Sequence, residues 1–333
     1  MKQLVVLSGK GGTGKTAVTA AFVHLTQRAG GVAVAVDADV DAANLEILVG
    51  GERFEEHEFV GGVVARIQFE YCSGCGTCEE VCRFDAIRPA ERWGFEVDPL
   101  ACEGCAACFY QCPYEAIELV PRVCGVWYRS STRAGRPFFH ARLRPAQENS
   151  GRLVALIREK ARTAATQGNV PLIIVDGPPG IGCPAIAAST GADLALIVTE
   201  PTVAGLHDLR RALAMTAHFE LDRVVCINKH DLHPAGTAAI EAACADLGVE
   251  VVGSIPFDEE VPAAMAEGRA VTELHPVRAA TAALEGVWEQ VQHRLNGHAA
   301  RTLGGVALPA HAAPPSRNGA ARQPSDPGAA ADP

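Results

Sequence analysis

The chain has 333 residues, 48% of them hydrophobic, and a formal net charge of -10. This acidic balance argues against a nucleic-acid partner, because a basic face is the usual footprint of phosphate-backbone binding. The apolar run at the start, Leu4 to Leu7, is too short for a signal peptide or a transmembrane helix, so we expect no membrane span and a cytoplasmic location.

The first segments predict a βαβ unit. Gln3 to Leu7 forms a buried-strand run, a glycine-rich loop follows, and Thr16 to Ala29 has helical length before two glycines end it. Val32 to Val36 is the next strand. Short apolar strands joined by a helix indicate a parallel sheet that is covered on both faces.

The glycine-rich loop, GKGGTGKT, fits the phosphate-binding pattern G-x-x-x-x-G-K-[ST]. In such a loop small residues let backbone N–H groups surround the phosphates, Lys15 reaches the β and γ oxygens, and Thr16 ligates Mg²⁺. Its position between a strand and a helix is the context that the motif requires. The candidate nucleotide-binding residues of the loop are Gly9, Gly11, Gly12, Thr13, Gly14, Lys15 and Thr16.

Eight of the twelve cysteines lie in two runs of equal spacing, CSGCGTCEEVC at residues 72–82 and CEGCAACFYQC at residues 102–112. Doubled quartets of this kind are typical of two 4Fe-4S clusters, in which the fourth cysteine of each run ligates the other cluster. A disulfide framework or a zinc site is the alternative, although zinc suits isolated C-x-x-C pairs. The predicted ligand sets are Cys72, Cys75, Cys78 and Cys112 for one cluster and Cys82, Cys102, Cys105 and Cys108 for the other.

The rest of the chain predicts a return to the main sheet. Residues Val123 to Leu143 resemble strands that rejoin it, and a last helix is expected near Ala280 to Leu295. The tail from Asn296 to Pro333 is rich in Ala, Pro and Gly, so we expect it to be disordered. Between these segments, alanine-rich helical stretches separate strands at Pro171 to Val175, Leu194 to Val198, Val224 to Ile227 and Val249 to Ile255.

Acidic side chains follow two of the predicted strands. In IIVDGPPGIG, Asp176 stands at a strand end, the position of a Walker B aspartate that holds Mg²⁺ through water. In VDADVDAANL, the acids Asp37, Asp39 and Asp41 come just past another strand, where carboxylates can orient water or Mg²⁺. Three solvated loop acids are the alternative interpretation.

A second lysine in the loop, Lys10, marks the deviant Walker A group. From Lys2 to Leu295 the chain resembles a MinD/ParA-superfamily P-loop ATPase that contains an inserted bacterial-type ferredoxin domain with two 4Fe-4S clusters. The resemblance implies a nucleotide-dependent homodimer in which Lys10 reaches the phosphates bound by the partner subunit. It also implies that Asp39 positions the attacking water.

The same resemblance assigns the base-binding residues. Asn228 in INKHD corresponds to the asparagine that contacts adenine, and Pro256 and Asp258 in IPFDEEV belong to a second base-binding loop. The N-K-x-D pattern also occurs in guanine-specific GTPases, but the deviant loop favours ATP. The catalytic candidates are therefore Lys10, Lys15 and Asp39.

The implied architecture is an α/β fold with a mostly parallel P-loop NTPase sheet of the SIMIBI type, interrupted by an α+β two-cluster ferredoxin-like domain. We expect the ATPase domain at residues 1–60 and 122–295, the insert at 61–121, and the disordered tail at 296–333.

The leading functional hypothesis is ATP hydrolysis that gates low-potential electron transfer through the two clusters to an unknown redox partner protein. An ATP-dependent carrier or maturation factor for metal clusters is the alternative. A positioning switch like MinD or ParA is a third interpretation, but the segment LNGHAARTLGG lacks the apolar stripe and basic face of a membrane anchor.

Three further cysteines are interpreted separately. Cys226 falls in a strand run and Cys244 in an alanine-rich helix, so we expect both to be buried as small hydrophobic residues. Cys183 follows the switch-like segment GPPGIG, where a related reductase group carries a cluster that bridges two subunits. We expect Cys183 to be a packed thiol, with a bridging or redox role as the alternative.

Overall fold

The computed structural model describes residues 1–145, 147 and 149–302. The strands are β1 (Lys2–Ser8), β2 (Ala33–Asp37), β3 (Arg53–Ile67), β4 (Ile87–Pro89), β5 (Phe95–Val97), β6 (Ile117–Ser131), β7 (Pro137–Leu143), β8 (Leu172–Pro179), β9 (Leu194–Thr199), β10 (Arg223–Asn228) and β11 (Glu250–Ile255). The helices are α1 (Lys15–Arg28), α2 (Leu45–Val49), α3 (Thr77–Glu80), α4 (Ala107–Gln111), α5 (Ser150–Gln167), α6 (Cys183–Ser189), α7 (Val203–His218), α8 (Pro234–Asp246), α9 (Glu260–Ala266), α10 (Val271–Leu274) and α11 (Ala279–Thr302).

Nine strands form one sheet in the order β11-β10-β9-β1-β8-β2-β7-β6-β3, and β4 pairs separately with β5. Neighbouring strands are parallel from β11 to β7, whereas β6 runs antiparallel to both β7 and β3. The predicted α/β fold with a mostly parallel sheet is therefore confirmed. β8 continues beyond Val175 to Pro179 because its pairing with β1 extends as far as Ser8.

Apolar side chains cover both faces of this sheet. In β1, Val5 and Leu7 face a core that includes α5, α6, α7 and α8, whereas Leu4 and Val6 face a core that includes α1, α2, α9, α10 and α11. All four of these side chains are buried. Burial on both sides explains why the parallel strands appear in the sequence as short continuous apolar runs.

The antiparallel strands β3 and β6 form a long hairpin that extends out of the main sheet. They remain paired as far as Ile67 and Ile117, whereas β6 pairs with β7 only between Gly125 and Ser131. The end of the hairpin thus projects past β7 and carries residues 68–116. Two continuous strands therefore connect the cysteine runs to the sheet.

Residues 68–116 have a small hydrophobic core of their own. It is separate from the two cores of the main sheet, and several cysteines contribute to it. Its buried members are Ala65, Ile67, Cys78, Ala86, Ile87, Phe95, Cys102, Cys108 and Ile117. The predicted divisions of the chain, after residues 60 and 121, fall inside β3 and β6, and the division into domains stays a prediction.

The last described helix, α11, continues beyond the predicted boundary at residue 295. Leu295 is buried, and the helix continues through Asn296 and Gly297 to Thr302. The predicted disorder of residues 303–333 lies outside the described residues. Within residues 1–302, apart from 146 and 148, no helix combines the length and apolar character needed to cross a membrane.

Candidate functional site

The loop between β1 and α1 has the backbone geometry of a phosphate cradle. Gly12 and Gly14 adopt left-handed φ values of 81° and 92°. A Cβ on Gly14 would lie 2.2 Å from Nδ2 of Asn228, so both the backbone and the space require glycine there. The loop leads into the first turn of a 14-residue helix, whose free N–H groups and dipole favour phosphate.

Lys15 is buried at the centre of the site. Its Nζ lies 3.1 Å from Oδ1 of Asp176 and 3.7 Å from Oδ2 of Asp39. Burial lowers the pKa of Lys15, but the charges of these carboxylates outweigh burial and raise it above its usual value. The ammonium group is therefore charged, and it balances the acids around it.

Asp176 lies near the C-terminal end of β8 and accepts hydrogen bonds from the first turns of α1. Thr16 Oγ1 donates to its Oδ2 at 2.7 Å, and Thr19 Oγ1 donates to its Oδ1 at 3.0 Å. A hydroxyl and a carboxylate side by side are hard oxygen ligands that fit Mg²⁺, which keeps several waters and takes its other ligands from phosphates. No three His, Cys, Asp or Glu side chains in the described part of the chain converge as ligands of one metal ion.

Asp37 is completely buried beside this pair and supports the loop that carries Asp39. Its Oδ1 accepts from the Asp39 N–H at 3.1 Å and its Oδ2 from the Leu45 N–H at 2.9 Å. Burial, followed by the charge of Asp176, raises the pKa of Asp37 to about 8. Asp39 is half-buried, and burial raises its pKa as well. Asp41 is exposed, so only the first two acids belong to the interior of the site.

A cavity of about 610 Å³ runs from the phosphate loop to β10 and α9. Its size is that of a small-molecule site. Gly9, Lys10, Asp37 and Asp176 are predicted residues that do not line it. The predicted residues that do are Gly11, Gly12, Thr13, Gly14, Lys15, Thr16, Asp39, Asp41, Asn228, Pro256 and Asp258.

Lys10 is held away from this cavity by residues that sequence reasoning missed. Its Nζ forms an ion pair with Oε1 of Glu200 and lies 3.4 Å from Thr202 Oγ1. Lys229 Nζ lies 3.4 Å from the other Glu200 oxygen and 3.4 Å from the Gly12 carbonyl. Glu200 thus joins two lysines. The signal for it in the sequence was its place two residues beyond the predicted strand Leu194 to Val198.

The far end of the cavity combines polar and apolar walls. Asn228 Nδ2 donates to the Thr13 carbonyl at 2.8 Å and so ties the end of β10 to the phosphate loop. Asp258 accepts from the Glu260 N–H and from Arg278, both at 3.0 Å. The apolar residues on this wall that were not predicted are Phe257, Val261, Pro262 and Met265.

The eight cysteines of the two runs line two cavities at the end of the hairpin. One cavity is lined by Cys72, Cys75, Cys78 and Cys112, and the other by Cys82, Cys102, Cys105 and Cys108. These are the two predicted sets, each including the fourth cysteine of the opposite run. All twelve cysteines of the chain are free thiols. Thiols are the ligands that 4Fe-4S clusters use, and the assignment of one cluster to each cavity stays a prediction.

Neighbouring side chains fix the backbone of both cysteine sets. Trp93 Nε1 donates to the Cys72 carbonyl at 3.2 Å, and Arg122 Nη2 donates to the Cys102 carbonyl at 2.7 Å. Cys75 and Cys105 are exposed, so each cavity has one edge toward solvent. Solvent access and hydrogen bonds near sulfur are what tune a bound cluster.

The structure also shows the burial of the three cysteines that were interpreted separately. Cys226 and Cys244 are buried as expected, and burial raises the pKa of Cys226 to about 12. The interpretation of Cys183 as a packed thiol is wrong, because this residue is exposed at the first position of α6. A short helix that starts directly after a glycine turn leaves its first side chain uncovered.

Residues 4–271 match the family described as the CobQ/CobB/MinD/ParA nucleotide binding domain. An uncharacterized protein of Methanocaldococcus jannaschii is 32% identical over 260 residues, which make up 78% of this chain and 86% of that protein. A Drosophila melanogaster protein named as a cytosolic Fe-S cluster assembly factor, a Nubp1 homolog, is 27% identical over 144 residues. That match covers 37% of this chain and 46% of the fly protein.

Solved structures of MinD proteins share the fold. The MinD cell division protein of Aquifex aeolicus gives a TM-score of 0.53 at 19% identity, over 88% of this chain and 98% of that one. The septum site-determining protein MinD of Pyrococcus horikoshii, complexed with Mg-ADP, gives 0.53 at 18% identity, over 87% and 95% of the two chains. At these identities the likeness concerns the fold alone.

The buried position of Asp37 predicts a pH dependence of stability in the nucleotide-free protein. The carboxyl group of Asp37 loses its proton near pH 3.8 in the unfolded chain, whereas in the folded chain its pKa is about 8. The free energy of unfolding of the wild type, relative to Asp37→Asn, should therefore fall as pH rises through this window and become level above it. Denaturant unfolding at a series of pH values measures this difference, and a difference that does not change with pH would contradict the assignment.

Proposed function

Because the chain belongs to the CobQ/CobB/MinD/ParA family of P-loop ATPases, we propose that it hydrolyses ATP and uses the cycle to gate low-potential electron transfer through two 4Fe-4S clusters. The observation that carries this proposal is the position of the cysteines. Both sets lie at the end of β3 and β6, which are strands of the ATPase sheet itself. A change at the nucleotide site therefore has a continuous structural connection to them.

The nucleotide site can bind and orient the substrate with its own groups. The loop N–H groups and Lys15 receive the β- and γ-phosphates, which replace Asp176 and Asp39 as partners of the buried ammonium group. Asp39, thereby released from Lys15, is free to accept a hydrogen bond from the attacking water. Asp176 and Thr16 would hold Mg²⁺, which neutralises charge on the phosphates when it is bound.

Lys10 supports a dimeric active form. In the single chain it pairs with Glu200 and does not line its own cavity. Once its ion pair with Glu200 is broken, Lys10 can reach a nucleotide that is bound by a second copy of the chain. Phosphate groups would compensate for the lost ion pair, since they are multiply charged acceptors.

The thiolates of each cysteine set would hold one cluster, and the clusters supply one-electron storage at low potential. The hydrophobic core around Cys78, Cys102 and Cys108 limits access of water to the inner side of both sets. The exposed Cys75 and Cys105 mark the edges nearest to solvent, where a redox partner protein would exchange electrons.

A second candidate, an ATP-dependent carrier of iron-sulfur clusters, is favoured by the fly relative named as an assembly factor. The chain spans less than half of that protein, so the activity of the whole relative does not transfer directly. Two sets of four cysteines, with three members buried, support permanent clusters more than exchangeable ones.

The role given to Asp39 predicts a separation of hydrolysis from binding. Asp39→Asn should lower the ATP turnover number about 100-fold, the effect of a positioned catalytic carboxylate, while nucleotide affinity stays within a few-fold. Steady-state ATPase assays and equilibrium nucleotide binding measure the two quantities. Asp246→Asn, an exposed acid at the end of α8 that does not line the cavity, is the control and should leave both unchanged. Equal turnover in Asp39→Asn and wild type would remove Asp39 from the mechanism.

The crossed cysteine sets predict which substitutions share a phenotype. Cys112→Ser should disturb the same cluster as Cys72→Ser, although Cys112 lies in the other run, and Cys82→Ser should match Cys105→Ser. Each variant should lose roughly half of the bound iron. Iron analysis and EPR of anaerobically purified protein test this pairing, with Cys244→Ala as the control outside both sets. Phenotypes that group by run instead would refute the crossed assignment.

The coupling itself predicts that nucleotide alters the clusters. Mg-ATP should shift the midpoint potential or the spin relaxation of at least one cluster relative to Mg-ADP, because a nucleotide acts only through its different affinity for two states. An EPR-monitored redox titration with each nucleotide measures the shift. The gating function is contradicted if the midpoint potentials are the same with both nucleotides and the ATP turnover number is the same in both redox states. Transfer of iron to an apo-acceptor protein would favour the carrier.

A further inference from the structure

A row of paired residues crosses the sheet from the nucleotide site to the long hairpin. Asp176 in β8 lies beside Asp37 in β2, and Asp37 lies beside His140 in β7. His140 in turn lies beside Tyr128 in β6, which lies beside Glu56 in β3. Residues that pair across neighbouring strands share one face of the sheet. In this row, one residue, His140, separates the buried Asp37 from Tyr128 of β6.

The short helix α2 is hydrogen-bonded to Asp37 of this row and to Arg142, which lies two residues beyond His140 in β7. Its first residue, Leu45, donates its N–H to Asp37, the acid that also supports the Asp39 loop. The next residue, Glu46, accepts from Arg142 of β7 at 3.0 Å. One turn of helix therefore joins the nucleotide side of the sheet to its antiparallel side.

Glu46 also binds β3 through a bidentate ion pair with Arg53. Arg53 Nε and Nη2 donate to its two oxygens at 2.8 and 3.0 Å, the fork geometry of a strong arginine–carboxylate pair. The Arg53 guanidinium lies over the Tyr128 ring of β6, 4.5 Å from its centre. Through one carboxylate, α2 is thus connected to β7 and β3 directly and to β6 through Arg53.

A buried histidine near Glu46 has one ring nitrogen without a hydrogen-bond partner among the described residues. His140 is fully buried, and its Nε2 is hydrogen-bonded to Ser130 Oγ at 2.9 Å. Its Nδ1 has no hydrogen-bond partner and lies 3.7 Å from Oε2 of Glu46. A small displacement of α2 would change this distance, so the contact is sensitive to where α2 sits.

The other end of α2 is fastened to the turn between β6 and β7. Arg133 Nη1 donates to the Leu48 carbonyl at 2.8 Å, and the Arg133 N–H donates to the Val49 carbonyl at 3.0 Å. The helix is thus held by the antiparallel strands along its length. It can follow a movement at Asp37 only by carrying these strands with it.

We propose that Glu46 is a positioning residue through which α2 transmits the nucleotide state to β3 and β6, and hence to the cysteine sets. This inference rests on the proposed function, since it explains how ATP would gate the clusters. Nucleotide binding replaces the contact of Lys15 with Asp39, the Asp39 loop adjusts on Asp37, and α2 moves with it. Arg53 of β3 and Arg142 of β7 both bind the Glu46 carboxylate. They pass that movement to the hairpin, Arg53 directly and Arg142 through the pairing of β7 with β6.

The test is hydrogen–deuterium exchange of the full chain, purified anaerobically with its native metal content, in Mg-ADP and in Mg-ATP. The wild type should show a nucleotide-dependent difference in the amides of residues 61–67 and 117–124, where the hairpin extends beyond β7. Glu46→Gln should reduce that difference about fivefold, a typical coupling factor, with nucleotide affinity and basal ATP turnover retained. Arg142→Gln removes a partner of the same carboxylate and should act in the same direction.

The matched control is Glu55→Gln, which removes the exposed ion pair with Arg129 on the same two strands and should keep the full difference. Thermal unfolding shows whether Glu46→Gln is merely destabilised. If it is, the exchange difference of Arg142→Gln tests the role of Glu46. A wild-type difference that persists in both variants overturns the role of Glu46 but leaves the gating function standing. A wild type that hydrolyses ATP without any difference in these segments overturns the gating function and this inference together.

Discussion

The buried ammonium group of Lys15 is the interaction on which the nucleotide end of the molecule depends. It lies between carboxylates from the ends of β2 and β8, two strands that become neighbours only when the sheet is complete. Removing one partner of such a group leaves an uncompensated charge in the interior, which typically costs about 3–5 kcal/mol. The same charges hold the phosphate loop, Asp39 and Asp176 in place before nucleotide arrives.

The long hairpin imposes a different constraint on the end of the molecule that carries the two cysteine sets. The cysteine sets are not joined to the sheet by a flexible linker, because β3 and β6 stay hydrogen-bonded up to Ile67 and Ile117. Two paired strands resist bending more than a single connecting chain, so a displacement at their base reaches the cysteine cavities. This rigidity, more than the presence of two motifs in one chain, is the physical basis of the proposed communication between the two sites.

Features with local sequence patterns could be predicted, and features that depend on strand order could not. The glycine loop and the cysteine runs are short segments whose own spacing determines which atoms meet, and each predicted set shares a cavity. Glu200 and Glu46 gain their roles from contacts with Lys10 and Arg142, which lie far away in the chain, and the only sequence signal was the position of Glu200 after a predicted strand. Cys183 was misjudged because exposure at the start of α6 depends on the surrounding fold.

The position of the cysteine runs within the chain also affects biogenesis. Lys15 precedes residues 68–116 and Asp176 follows them, so a ribosome releases the cysteines before the second half of the nucleotide site exists. Domains generally fold as units during synthesis, and ordering an intervening segment shortens the loop that β1 must close to meet β8. A nascent chain would therefore complete both cysteine runs while it is still unable to bind ATP.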